Sequence, residues 1–175
     1  MRPRVPTNNA VLPPLMILLL LVAGCAPASP ELEDRTRVFE GAWFVVSYPV
    51  DFRPRPSIES STADGFDSVF FASPDGEATF YLYAPQWGGE AIDIALDPDT
   101  ERLAAMDTST DGPITTTRTT ITATNGAWTR SYVTEDDERG PTRWTIGWQY
   151  ASETARVKYS AAFAEFQESL TQFAD

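Results

Sequence analysis

The chain has 175 residues, of which 13 are basic and 25 acidic, giving a formal net charge of −12 at pH 7. A chain this acidic is repelled by nucleic acid and by anionic lipid surfaces, so charge-driven binding to either is excluded. There is no histidine, and Cys25 is the single cysteine, which excludes Ser-His-Asp and Cys-His catalysis, histidine-ligated metals and disulfides from the domain. We expect no cofactor.

The first 24 residues predict an export signal. Arg2 and Arg4 give it a positive start, and Val11–Ala23 is apolar apart from two prolines. As a helix this apolar stretch reaches roughly 20 Å, which is less than the roughly 30 Å of a bilayer's hydrocarbon core. The segment is therefore interpreted as a signal and not as a membrane span.

The signal ends in Val22-Ala23-Gly24-Cys25, which resembles the lipobox of bacterial lipoproteins with Val22 in place of the commoner Leu. The resemblance implies cleavage between Gly24 and Cys25 and acylation of Cys25, and two or more acyl chains anchor a protein stably. The alternative is an ordinary secretory signal that ends by chance at a cysteine. Because Ala26 follows instead of Asp, the resemblance implies the outer membrane facing the periplasm in a Gram-negative organism, and otherwise the outer face of the cell membrane.

Composition divides the rest of the chain into a tether and one domain. Residues 25–37 are polar and proline-bearing without apolar periodicity, which predicts a flexible tether. Residues 38–175 are enough for a single domain with one core.

Period-two alternation of Val, Thr and aromatic residues predicts a series of strands. The Ser73-Pro74-Asp75-Gly76 and Asn125-Gly126 segments predict tight hairpin turns between strands. Glu101–Ser109 suits either a short helix or a strand. The first strand is apolar on both faces and is expected to be central in the sheet. The predicted strands are Trp43–Tyr48, Phe66–Ser73, Glu77–Ala84, Ile114–Thr124, Ala127–Thr134 and Arg143–Tyr150.

A long helix is predicted at the C-terminal end, over Glu153–Phe173 with Ser152 as its cap. Its apolar residues recur at steps of three and four, as on one face of a helix. Together the elements predict an α+β fold, with a mostly antiparallel sheet of about six to seven strands packed against this helix. The apolar stripe consists of Ala155, Tyr159, Ala162, Phe163, Phe166, Leu170 and Phe173.

Several segments resemble small bacterial lipoproteins of unassigned function with a Mog1/PsbP-like domain. They are Phe44–Phe52 (FVVSYPVDF), the SPDG hairpin, Tyr83–Gly89 (YAPQWGG) and Phe166–Phe173 (FQESLTQF). Members of this superfold include photosystem II extrinsic subunits and a small-GTPase partner. The matching motifs are packing and turn motifs, so the resemblance implies the fold and leaves the function open.

Four groups of residues are weighed as possible contact sites. Trp87-Gly88-Gly89 follows a strand and would let an indole lie beside exposed backbone groups, or it is a Trp that closes the edge of the core. Asp93, Asp97, Asp99 and Glu101 are spaced as Ca²⁺ ligands can be, but they lack the glycine of an EF-hand, and a solvated acidic loop is favoured over a metal site. An acidic run, Glu135–Glu138, is interpreted as a solvated hairpin tip. An aromatic cluster could line a groove for a sugar or a peptide, but it is expected to form core against the helix; it consists of Trp128, Tyr132, Trp144, Trp148 and Tyr150.

The sequence thus favours a lipid-anchored, non-catalytic envelope protein that binds a protein or another envelope component. One alternative is a hydrolase of envelope polymers that uses two carboxylates. The other is a calcium-binding envelope domain.

Overall fold

The computed structural model describes residues 35–86, 88–140 and 143–173, and these contain ten strands, one α-helix and one 3-10 turn. The α-helix, α1, spans Glu153–Glu168, and the 3-10 turn spans Ile92–Ile94. The strands are β1 (Thr36–Glu40), β2 (Phe44–Pro49), β3 (Arg53–Pro56), β4 (Ser68–Ala72), β5 (Ala78–Tyr83), β6 (Glu101–Asp111), β7 (Ile114–Ala123), β8 (Thr129–Asp137), β9 (Arg143–Tyr150) and β10 (Thr171–Gln172).

The described strands form two antiparallel sheets. The large sheet has seven strands in the order β3-β4-β5-β9-β8-β7-β6, and the small sheet has the order β1-β2-β10. The predicted fold class is confirmed. The strand expected to be central, β2, is the middle strand of the small sheet, and β1 begins at Thr36, inside the range predicted as tether.

The main core lies between α1 and the inner faces of the two sheets, and it is dominated by aromatic rings. Phe80 of β5 is fully buried near its centre. Its ring centroid lies 4.8 Å from that of Phe52, 5.2 Å from Phe163, 5.3 Å from Phe166 and 6.2 Å from Trp148. Because the helix stripe supplies two of these rings, burial of the stripe fixes α1 on the large sheet.

The helix begins as predicted and ends earlier. The Ser152 hydroxyl accepts a hydrogen bond from the Ala155 amide (3.1 Å), but α1 stops at Glu168. The Ser169 hydroxyl bonds back to the carbonyl of Phe166 (2.8 Å) and accepts the Ser47 amide of β2 (2.9 Å). A hydroxyl that competes for backbone groups in this way disfavours further helix. The chain turns into β10, and Phe173, predicted on the buried stripe, is 46% exposed.

Three predictions about the large sheet are resolved by strand pairing. Glu101–Ser109, left open between helix and strand, lies in β6 and pairs along its length with β7. Residues 135–137, predicted as loop, are strand because they continue the β7 pairing, and the turn follows them. Both predicted hairpin turns form, with φ of 74° at Gly76 and 72° at Gly126.

Four of the five aromatic residues predicted to face the helix divide between the two faces of the large sheet. The fifth, Trp128, precedes β8 and is half-buried beside the Arg130 guanidinium (5.8 Å), so its predicted place in the helix-side core is wrong. Trp144, Trp148 and Tyr150 belong to the helix-side core. Tyr132 lies on the opposite face, and the prediction that it packs against the helix is wrong. Its ring lies across Gly147, where an added Cβ would come within 2.2 Å of the ring. The absence of a side chain at Gly147 therefore makes room for Tyr132.

Candidate functional site

A groove runs between one side of α1 and the paired ends of β1 and β2. It has a volume of about 530 Å³ and continues into a smaller recess of about 200 Å³ that shares part of its lining. We call it the helix groove. Its strand side is formed by Arg35, Thr36, Pro49, Val50 and Asp51, and its helix side by Lys158, Ala161, Ala162 and Glu165.

Helix geometry explains why this side of α1 stays open. Lys158, Ala161, Ala162 and Glu165 follow the i, i+3, i+4, i+7 spacing of one helix face, next to the buried aromatic stripe. Alanine side chains at the two central positions keep the floor of the groove close to the helix backbone. The strand side is held by the Thr36–Pro49 pair and by the Val50 amide, which donates to the carbonyl of Arg35 (2.9 Å).

The recess gives the groove an apolar end. Tyr48 and Phe166 line it and are themselves largely buried, with 6% and 1% of their surface exposed. The groove as a whole thus places small apolar side chains beside basic and acidic groups.

Lys158, the single lysine of the chain, is fixed in place at the rim. Its ammonium donates to a carboxylate oxygen of Asp75 in the β4–β5 turn (2.5 Å), and the hydroxyl of Tyr159 donates to the same oxygen (2.6 Å). Mainly because of the Lys158 ammonium, and also because of the Ser73 and Tyr159 hydroxyls, the pKa of Asp75 is held well below its usual range. The same hydrogen bond raises the pKa of Lys158. Asp75 and Lys158 therefore remain an ion pair at this end of the groove, and the Glu77 carboxylate lies 3.6 Å from the same ammonium.

A second set of polar groups lies on the opposite face of the large sheet. There residues 88–100, which we call the covering loop, cross the rings of Tyr81 and Tyr132, with Ala91 and Ile94 packed against them. The Asp93 carboxylate accepts hydrogen bonds from Ser68 Oγ (2.7 Å) and from the Tyr81 hydroxyl (2.5 Å). Burial, and then the bond to Asp93, raises the pKa of Tyr81 far above its ordinary value, so Tyr81 stays a donor.

Arg130 of β8 makes the second attachment of the covering loop. Its guanidinium donates to the carbonyls of Ile94 (2.9 Å) and Ala95 (3.1 Å) and to the Tyr132 hydroxyl (3.3 Å). It also forms a buried ion pair with Glu101. The carboxylates of Asp93 and Glu101 thus serve to hold a loop on the sheet.

The four carboxylates weighed as calcium ligands are not brought together. Asp93 and Glu101 are engaged as just described. Asp97 closes its own turn by accepting the Asp99 amide (3.0 Å) and the Thr100 hydroxyl (2.7 Å). Among the described residues no group of three or more acidic or cysteine side chains is placed to hold a metal ion.

The other predicted site residues lie partly beyond the described ranges. Trp87, Gly24 and Cys25 fall outside them. Gly88 is exposed, with open space where a Cβ would stand, and Gly89 is half-buried. Within the described part of the chain, no helix is long and apolar enough to cross a membrane.

The sequence did not point to the helix groove. The groove depends on the pairing of Thr36 with Pro49 and on the way α1 meets the small sheet, which are contacts between distant segments. The sequence offers two signals for the groove. One is the pair of small residues Ala161 and Ala162 beside an aromatic stripe, and the other is the sole lysine, Lys158, close to them.

No family model matches the chain, and no curated protein matches it in sequence. Among solved structures, cyanobacterial PsbP (CyanoP) from Synechocystis sp. PCC 6803 is similar with a TM-score of 0.50 and 8% identity, over 87% of this chain and 99% of that one. The fold is PsbP-like. Mog1p of Saccharomyces cerevisiae, a Ran-binding protein, is also similar, with a TM-score of 0.40 and 8% identity, over 79% of this chain and 96% of that one. At such identities the PsbP-like likeness concerns the fold alone.

Proposed function

We propose that the chain is a lipid-anchored, non-catalytic protein of the cell envelope that binds a protein or another envelope component in the helix groove. The observation that carries the proposal is the groove itself, an open depression that is lined by charged groups of both signs and continues into an apolar recess. Such a surface suits an extended or helical segment of a partner, whose apolar side chains fill the floor while its charged groups meet the rim.

The place where the tether joins the domain also supports this proposal. Arg35 lines the groove, and it lies ten residues after Cys25. Ten residues span at most roughly 35 Å when fully extended. A lipid on Cys25 would therefore keep the groove within that distance of the membrane surface, where it can meet membrane-bound partners. The membrane would be the outer membrane, facing the periplasm, in a Gram-negative cell, and otherwise the outer face of the cell membrane.

The anchor is tested by Cys25→Ser in the full chain. We expect loss of labelling by a radioactive fatty acid and accumulation of the uncleaved precursor, because the acyl chains and the processing both depend on that cysteine. Normal processing together with unchanged membrane retention would contradict lipid anchoring.

The groove is tested by a photo-crosslinking amino acid placed at Ala161 in intact cells. Ala164 provides a matched control, since it is an exposed alanine of the same helix that does not line the groove. We expect a discrete crosslinked product from position 161 and none from position 164. Equal labelling from both positions, or none from either across growth conditions, would count against groove binding.

A further inference from the structure

Strand β6 leaves one edge of the large sheet open. Within the described residues it pairs only with β7, and every side chain from Arg102 to Asp111 is exposed. Two of them are large and apolar: Leu103 is 49% exposed and Met106 is 63% exposed. A long strand edge with unpaired backbone groups and exposed apolar side chains is a template for pairing with another strand.

The sequence along this edge is complementary to itself. Residues 102–107 read Arg-Leu-Ala-Ala-Met-Asp. If a second copy of the strand runs antiparallel about a two-fold axis at Ala104–Ala105, Arg102 lies opposite Asp107 of the second copy, and Leu103 lies opposite Met106 of the second copy. Each ion pair and each apolar pair occurs twice, because the interface is symmetric.

A bulge at Ala104 makes these pairs geometrically possible. In an unbroken strand Leu103 and Met106, three residues apart, would point to opposite faces. Here Leu103 pairs with Ile121 and Met106 with Thr119, and since these β7 partners are two residues apart, both side chains lie on one face. By the same argument Arg102, opposite Thr122, and Asp107, opposite Arg118, share the other face.

Charge further favours a second copy as the occupant of this edge. Arg102 and Asp107 form no ion pair within the described part of the chain, so both are available to a partner strand. In this register Glu101 lies opposite Thr108 of the second copy, so no two like charges face each other along the edge, which would be destabilising. The charges along this edge are therefore complementary to those of a second copy of the edge, although the overall negative charge of the chain opposes association.

We propose that two copies of the chain associate through antiparallel pairing of their β6 strands. The two seven-stranded sheets then continue into one sheet across the two-fold axis, with Arg102–Asp107 ion pairs on one face and Leu103–Met106 contacts on the other. This association leaves the helix groove of each copy uncovered by β6, because the groove lies between α1 and the small sheet. It therefore does not depend on the proposed binding function.

The geometry is tested by Ala105→Cys in the full chain in the cells that produce it, with mild oxidation and a non-reducing gel. Ala105 lies beside the two-fold axis, so the introduced thiols of two copies come within disulfide distance. Ala127→Cys is the matched control, an exposed alanine in a turn of the same sheet, and the unsubstituted chain reports any contribution of Cys25. We expect a disulfide-linked dimer from position 105 only. Equal crosslinking at positions 105 and 127, or none at 105, would overturn the proposal.

The register is tested by charge exchange in the Ala105→Cys background. Arg102→Asp and Asp107→Arg should each lose the crosslinked dimer, because each places like charges opposite one another twice. The first variant has acidic groups at both positions 102 and 107, and the second has basic groups at both. When the two variants are co-expressed, every 102–107 contact in a mixed dimer joins an acidic to a basic group, so mixed dimers should form. Recovery in the mixture also shows that both variants are folded. Crosslinking that does not respond to either change would overturn this register.

Discussion

On one face of the large sheet, α1 packs aromatic rings against β5 and β9. On the other face, Ala91 and Ile94 of the covering loop pack against tyrosine rings, and the loop is attached by hydrogen bonds and an ion pair. Apolar burial is non-directional and shared among many neighbours, so it stabilises the whole domain. The polar attachment depends on a few atoms with specific geometry, and its loss frees one segment. The two faces should thus respond differently to substitution.

The largest effect is expected for Phe80→Ala on the helix side. The side chain is fully buried and its ring contacts four other aromatic rings, so truncation leaves a cavity that costs about 3–5 kcal/mol of unfolding free energy. Denaturant unfolding measures the loss, and hydrogen exchange should show lowered protection in α1 and in the sheet together. Exchange that rises only in one segment would show that this core does not stabilise the domain as a unit.

A slightly smaller and more local effect is expected for Arg130→Met on the loop side. Removing the guanidinium leaves Glu101 buried without its partner, and breaking a buried pair in this way costs about 3 kcal/mol. Hydrogen exchange should increase in the covering loop while α1 keeps its protection. The double variant Arg130→Met with Glu101→Gln should recover part of the stability, because no buried charge is then left unpaired. Equal loss of protection in α1 would contradict a local attachment.

Asp93→Ala tests the other attachment of the same loop. It leaves the hydroxyls of Ser68 and Tyr81 without their acceptor in a buried setting, which costs about 1–3 kcal/mol. The exposed Asp99 of the same loop provides the control, since Asp99→Ala should stay within about 0.5 kcal/mol of the parent. Thermal unfolding distinguishes the two. A similar shift for both variants would mean that Asp93 does not hold the loop.

The smallest effect is expected at the surface network between α1 and the β4–β5 turn. The pKa of Asp75 is lowered in the folded state, so its stabilising contribution is present above the unfolded pKa of about 3.9 and disappears as the pH falls through the folded value. Asp75→Asn should therefore lower the Tm at pH 7, and the difference from the parent should shrink as the pH is lowered below about 4. A Tm difference that is the same at pH 7 and pH 2.5 would contradict the ionic origin.

Local signals in the sequence predicted much of the fold. The turn at Gly76 and the cap at Ser152 depend on residues within a few positions of each other, and both form as expected. The end of α1 does not follow from such signals, because the apolar stripe continues to Phe173 while the chain leaves the helix to pair with β2. The face of Tyr132 was missed for a similar reason: aromatic residues occur on both faces of the β8–β9 pair, and only the register reveals that Tyr132 lies over Gly147.

The candidate sites show the same limit. Spacing alone placed Asp93 and Glu101 in a possible calcium loop, but their partners Tyr81 and Arg130 lie in other strands and engage them as loop attachments. The helix groove arises where α1 meets the small sheet, and no short motif marks that junction. The role of a residue whose partners are distant in sequence can be assigned only from the tertiary structure.

The most direct test of groove binding is the affinity of the partner identified by crosslinking for two tryptophan variants of α1. Ala162→Trp fills the floor of the helix groove, whereas Ala164→Trp places the same bulk on an exposed position of the same helix. We expect the first variant to weaken binding at least about tenfold, equivalent to roughly 1.4 kcal/mol, while both variants keep the circular dichroism spectrum of the parent. The second should bind as the parent does. Equal affinity of both variants and the parent would contradict the groove as the binding surface.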